Sequence, residues 1–338
     1  MMKRKRTFSA ARALLQLLCI VLGLILAAMV GFTAIFQYLL GQIQYTQPEP
    51  FPALSQDVRS PRGELMDFLD PGDVNWAQLG SDLTQKERSI VNILLVGQDR
   101  REDERSTRAD SILLCTFNKS THTLTMTSFL RDLYVPIPGH GGDRINSAYA
   151  YGGLSLLKKT LAENFGVNIH GAIEVDFAQF ATVIDALGGV RIQLRQDEAE
   201  LINQETGSAL TEGSHLLTGS QALVYSRIRS LDRDGDFSRT DRQRKVMSAV
   251  VDSYKGAGLT TILNTLRQVL PMISTDLSEP RILMLGLELF PILQDVQISS
   301  RHIPEEGTYA DKVINGMAVL DADMDAARQL LREITGEG

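Results

Sequence analysis

Asp99 and Asp110 stand on either side of a charged loop, each beside an apolar run. Gly97-Gln98-Asp99-Arg100 ends the run VNILLVG, and Arg108-Ala109-Asp110 opens the run DSILLCTFN. If both runs are strands, one carboxylate leaves the end of the first and the other enters the second. Two carboxylates and several arginines then meet at one sheet edge. Such a set suits a hard cation held together with phosphates, since Mg2+ takes one or two carboxylates and fills its shell with phosphate oxygens and water. The same composition also describes a solvated loop of surface ion pairs.

A second region, Tyr225 to Lys245, reads YSRIRSLDRDGDFSRTDRQRK and holds Arg227, Arg229, Arg233, Arg239, Arg242 and Arg244. Arg227 and Arg229 lie two apart, which on an extended segment points both to one face. Asp236, Arg239 and Gln243 are spaced three and seven apart, which on a helix also shares a face. A guanidinium fork matches phosphate oxygens in pairs, so this density suggests a polyanionic ligand. Pairing with Asp232, Asp234 and Asp241 on a solvated helix is the plainer alternative. Between the two regions, Ser128-Phe129-Leu130-Arg131-Asp132 places Arg131 at a strand end, ahead of a stiff loop containing Pro136, Pro138 and Gly139.

The elements that must carry these residues follow from periodicity. Ile90 to Gly97, Asp110 to Asn118 and Thr123 to Leu130 read as strands, the last two joined by a turn at KSTH. Asn146 to Phe165 has helical spacing after a candidate Asn cap, with Gly166 as its stop. IHGAIEV is a further strand. Phe177 to Leu187 is a helix with Phe177, Phe180, Val183, Ile184 and Leu187 on one face, a stripe best read as core. VRIQL is a strand, Thr218 to Arg229 begins as a helix, and Thr240 to Tyr254 is a long helix with an Arg-rich start. Helices near Thr260 to Leu270 and Pro280 to Phe290, a strand at VQISS and a last helix from Asp321 to Ile334 complete the pattern. Strands and helices alternate throughout, which predicts an α/β fold: a single layered α-β-α domain with a mixed central sheet.

Before this domain the chain changes character. Five positive charges and no negative ones lie in the first twelve residues, and Ala13 to Leu40 is a 28-residue run without a charge. About 20 apolar residues cross a bilayer, so 13–40 is expected to be one transmembrane helix, with 1–12 a basic cytoplasmic tail. Residues 41–88, rich in proline, are expected to form an extracellular stalk and 89–338 the folded domain. The whole chain balances 34 Lys and Arg against 41 Asp and Glu, a net charge of -7. That balance disfavours a nucleic-acid binder, and the tail is too short to be a folded reader of DNA. Cys19 and Cys115 fall in different environments, and neither a GxxxxGK[ST] phosphate loop nor an HExxH zinc motif is present.

ILLVGQDR, RADSILL, TMTSFLRDLYVPIPG, RINSAYAYGG, VDFAQFATVIDALGGV, HLLTGSQALVYSRIR and GDFSRTDRQRKV follow one another from about residue 90 to about 255. In this order they resemble the LytR-CpsA-Psr family. The resemblance implies a membrane-anchored transferase that moves an anionic glycopolymer from a polyprenyl-pyrophosphate carrier to the cell wall, on a muramic acid 6-hydroxyl of peptidoglycan. By position, Asp99 and Asp110 would hold Mg2+. Arg108, Arg131, Arg227, Arg229 and Arg239 would bind the pyrophosphate, with Asp236 and Gln243 completing the network and Arg100 at its margin. Leu130, where proline commonly precedes the arginine, and Arg144, where lysine is common, depart from the family pattern. A lipid-pyrophosphate hydrolase and a non-enzymatic polymer-binding or regulatory protein are the alternatives.

Overall fold

The computed structural model describes residues 44–45, 89–98, 108–232, 234–257 and 295–336, with scattered positions between 261 and 293. All belong to one compact unit, Gln44–Gly338. The expected tail and transmembrane helix, nearly all of the stalk, Asp99 and Arg100 lie outside the described residues, as do most of the expected helices at 260–270 and 280–290. Among the described residues no helix is long and apolar enough to cross a membrane.

The strands are β1 (Gln44–Tyr45), β2 (Ile90–Gln98), β3 (Ala109–Asn118), β4 (Thr123–Phe129), β5 (Tyr134–Ile137), β6 (Gly141–Arg144), β7 (Gly171–Asp176), β8 (Val190–Leu194), β9 (Gly213–Leu217), β10 (Ser274–Thr275), β11 (Gln297–Ile303), β12 (Tyr309–Ile314) and β13 (Met317–Ala322). The helices are α1 (Ile145–Phe165), α2 (Phe177–Ala186), α3 (Gln196–Thr206), α4 (Gly219–Arg227), α5 (Asp236–Tyr254) and α6 (Met324–Thr335).

Seven strands form one sheet in the order β1-β10-β7-β2-β3-β4-β11. It is mixed, as the sequence predicts: β2 runs parallel to β7 and β4 to β11, while β2–β3 and β3–β4 are antiparallel. Leu94, Val96, Ile112, Leu114 and Phe129 pack on one face against Leu157 and Leu161 of α1 and Leu331 of α6. Val91 and Phe117 pack on the other, with Val251 of α5 against them. Coverage on both faces explains why β2 reads as a continuous apolar run and not an alternating one. A second core joins α2, α3, α4 and α5 to the β8–β9 pair through Ile184, Ile192, Ile202, Tyr225 and Val246.

Three expectations need correction. Asn146 is not the cap of α1. Arg144 stands there without a side-chain cap, and Asn146 is buried in the first turn. The stretch Tyr134 to Arg144 is not a plain loop but a hairpin, β5–β6. The last helix starts at Met324, capped by Asp323, because Asp321 is spent in β13. Gly166 does end α1, in the left-handed conformation at φ 72°.

Candidate functional site

The strand ends on one side of the sheet bring β3, the segment after β4 and the start of α5 together. Ala109 begins β3 fully buried, so Asp110 beside it turns to the half-exposed rim. Arg131 follows β4 and reaches across: its Nη1 donates to Asp110 Oδ1 at 3.0 Å and its Nε to Asp236 Oδ2 at 3.0 Å. Asp236 opens α5, and one turn later Arg239 donates from Nη2 to Asp236 Oδ2 at 2.9 Å and to the Asp110 carbonyl at 3.2 Å. Arg229 Nε approaches Asp236 Oδ1 at 3.4 Å. Gln243, two turns into α5, accepts from Ser111 Oγ at 2.9 Å and ties the helix to β3. Three guanidiniums from separate segments thus converge on one carboxylate.

Burial by itself would lower the Arg131 pKa, but Asp236, Asp132 and Asp110 reverse this and hold its proton more firmly. For Asp236 burial is the larger influence: it pushes the carboxyl above its ordinary value against the pull of Arg131 and Arg229. Asp132 lies 3.7 Å from Arg131 Nε and 3.3 Å from Arg144 Nη1. Arg144 in turn donates from Nε and Nη2 to the Ala318 carbonyl of β13 at 3.0 and 2.6 Å. The β12–β13 hairpin therefore braces the arginine segment, a role no motif signalled.

Among the expected site residues, Asp110, Arg131, Arg229, Asp236 and Arg239 meet directly, and Gln243 adjoins them. Arg227 does not lie with Arg229 on an extended face. It ends α4, and its guanidinium lies over the Phe177 ring, 5.2 Å from the centroid. Arg108 is exposed and makes no hydrogen bond or ion pair among the described residues; its charge acts on Asp143 and Tyr151. In the α2 stripe only Ile184 is buried, while Phe177, Phe180, Val183 and Leu187 are half-covered. Arg242 belongs to a buried structural network with Glu198 and Asp232.

Of the two carboxylates expected to hold a divalent cation, one lies among the described residues. Asp110 presents its carboxylate at the rim, with Oδ1 shared with Arg131, and the second expected ligand, Asp99, follows directly on β2 outside the described residues. Among the described residues no group of three or more His, Cys, Asp or Glu side chains gathers as a metal site. The oxygen chemistry of Asp110 suits Mg2+, which needs few protein ligands when phosphates supply the rest.

Residues 72–335 match the model of the LytR_cpsA_psr family. The chain belongs to this family. The regulatory protein MsrR of Staphylococcus aureus is 32% identical over 256 residues, 75% of this chain and 76% of its own. The polyisoprenyl-teichoic acid–peptidoglycan teichoic acid transferase TagT of Bacillus subtilis is 37% identical over 175 residues, 50% of this chain and 54% of that one. Among solved structures, TagT with bound octaprenyl pyrophosphate lipid superposes with a TM-score of 0.58 at 27% identity, over 75% of this chain and 94% of that chain.

Proposed function

We propose that this family member is a membrane-anchored phosphotransferase that moves an anionic glycopolymer from a polyprenyl-pyrophosphate carrier to the 6-hydroxyl of a peptidoglycan muramic acid, forming a phosphodiester. The observation that carries this reading is the convergence of Arg131, Arg229 and Arg239 on Asp236 beside Asp110. One similar protein, TagT, supports the ligand class twice: it is named a teichoic acid transferase, and its solved structure holds octaprenyl pyrophosphate.

Phosphoryl transfer asks a protein mainly for positioning and for neutralisation of developing charge. The acceptor oxygen forms a bond to the phosphorus nearer the sugar, and the bond from that phosphorus to the bridging oxygen breaks. The lipid phosphate leaves with the electron pair. Arg131 and Arg239 are held in place by Asp110 and Asp236, so their remaining N–H groups are pre-aimed. Arg229, 43% exposed, has most of its fork available to the leaving phosphate. Asp99 and Asp110 would hold Mg2+, which supplies charge neutralisation to the phosphate oxygens when bound. Asp236 and Asp132 border the cluster, and either carboxylate is placed to take the hydroxyl proton.

The test incubates the full chain in detergent with a labelled lipid-pyrophosphate saccharide, Mg2+ and peptidoglycan oligomers, beside Asp99→Ala and Arg229→Ala. Label on the glycan from the unmodified chain, and a loss of about 10² to 10³-fold in Arg229→Ala, is the expected result. Release of sugar phosphate without attachment would establish a hydrolase instead. Tight binding without turnover would make the protein a binding or regulatory module, and undiminished transfer by Asp99→Ala would remove the metal assignment.

A further inference from the structure

Beside the arginine cluster the surface changes from charged to aromatic. His140 and Tyr151 stack with centroids 4.5 Å apart and planes 10° from parallel. Both rings are exposed, and Tyr151 at 49% is one of three large apolar side chains left uncovered among the described residues. Their orientation is built into the backbone. His140 sits at the tip of the β5–β6 hairpin between Gly139 and Gly141, whose φ values of 80° and 78° exclude ordinary side chains. Open space surrounds both glycines. Tyr151 ends the first stretch of α1, just before the helix breaks at Gly152 and Gly153.

A buried carboxylate fixes Tyr151, and the stack carries His140 with it. Tyr151 Oη donates to Asp143 Oδ2 at 2.6 Å, and the Arg144 amide donates to Asp143 Oδ1 at 2.7 Å. Asp143 is only 8% exposed. Arg144, the next residue, pairs with Asp132, which neighbours Arg131. Arg108, whose charge reaches both Asp143 and Tyr151, stands two residues before Asp110, which puts the aromatic surface at the edge of the guanidinium cluster.

The geometry points to a pyranose-binding platform formed by His140 and Tyr151, which seats a sugar ring of the glycan next to the phosphate cluster. An aromatic face carries partial negative charge and attracts the C–H edge of a sugar ring, while a ring hydroxyl beside it takes part in hydrogen bonds. A lipid tail would find too little apolar area here, and a phosphate would find one arginine with an anionic neighbour. This assignment rests on the transferase reading for the origin of its sugar, which is either the acceptor strand or the carrier-linked saccharide.

The full chain in detergent is titrated with three probes and followed through the His140 and Tyr151 ring resonances. The probes are a phosphate-free β-1,4-linked N-acetylhexosamine tetramer, a lipid-pyrophosphate disaccharide and inorganic pyrophosphate. A tetramer response identifies the acceptor strand as the occupant, and a response to the lipid disaccharide alone identifies the donor. In either case Tyr151→Ala weakens the saccharide about five- to tenfold and leaves inorganic pyrophosphate binding unchanged, while Tyr151→Phe, which keeps the ring, retains most of the affinity. Saccharide binding by Tyr151→Ala equal to that of the unmodified chain overturns the platform. So does equal loss in Tyr151→Ala and Tyr151→Phe, which would make the Asp143 hydrogen bond a matter of folding. Failure of the unmodified chain to bind inorganic pyrophosphate, with the saccharide response intact, counts against the transferase and upholds the platform.

Discussion

Arg244 carries a charge into the interior with little to hold it. Its side chain is 5% exposed, its Nη2 meets Asp241 only at 3.5 Å, and its Nε and Nη1 have no hydrogen-bond partner among the described residues. Burial pushes its pKa below the ordinary value, and Asp241 offsets only part of that. A buried ion without a good partner costs stability that an apolar side chain of similar length does not. Arg244→Met is therefore expected to be neutral or to stabilise by about 1–3 kcal/mol, read as a raised melting temperature, and a clear loss would show an ordered partner for the charge. Arg131 is the opposite case, since it uses two nitrogens at fixed angles for two carboxylates from different segments. A lysine offers one point charge without the fork. Arg131→Lys should lower transfer by at least about tenfold with little change in melting temperature, and full activity would remove Arg131 from the site. At this scale the sequence told the two arginines apart only in part. Arg131 stands at a strand end, a position that exposes function, whereas Arg239, Arg242 and Arg244 share one short stretch, and their fates depend on which neighbour each faces.

Helix α4 approaches α2 so closely that its first residue has no room for a side chain. A Cβ on Gly219 would lie 1.9 Å from the Ala181 carbonyl, and the Gly219 amide donates to Asp185 Oδ1 at 2.7 Å. Gly219→Ala must push two helices apart and is expected to cost about 1–3 kcal/mol, seen as a lower midpoint in chemical unfolding. Helix α3 is anchored differently. Glu198 pairs with Arg242 Nε at 2.8 Å, and both side chains are almost fully buried. Its other oxygen accepts from the Arg195 amide at the start of α3. Glu198→Ala leaves a buried guanidinium short of a partner, so a loss of about 3–5 kcal/mol is expected; a loss under 1 kcal/mol would mean that Asp232 suffices for Arg242. These two elements also show where sequence reading succeeds. Strands β2 and β3 announce themselves as apolar runs, β4 by its alternation of threonine with Leu124 and Met126, and the stop at Gly166 is chemically marked. By contrast α3 buries only Glu198, Ala199 and Ile202, too sparse a stripe to stand out. Within the β12–β13 hairpin, strand β12 is mostly exposed and β13 buries only Val319, so nothing in their alternation requires a strand. Yet that hairpin takes the Arg144 fork and so braces the arginine segment, which is why the site was legible as a list of residues but not as a mechanical assembly.

Charge and apolar length divide the whole chain at its start. The first twelve residues carry five positive charges, and the uncharged run from Ala13 to Leu40 is followed by a domain whose site gathers arginines against a net acidic background. A carrier with a long isoprenoid tail stays in the bilayer, so an enzyme acting on its pyrophosphate gains by being held at the same surface, where encounter becomes a search in two dimensions. On the proposed reading, the positive flank would set the tail inside and the domain outside. Two measurements follow from this arrangement. The full chain should sediment with membranes and resist extraction by high salt, with its domain cleaved by protease added to intact cells. A chain beginning at Gln44 should remain in the supernatant and bind inorganic pyrophosphate as the full chain does, because the described cluster draws all its contacts from residues 110 to 318. Transfer from a lipid-linked donor in vesicles should then fall for the shortened chain, while transfer from a short-chain, water-soluble donor should not. Equal rates on both donors would show that the first 43 residues deliver the protein to its compartment and add nothing to encounter. A full chain left in the supernatant would overturn the anchor itself.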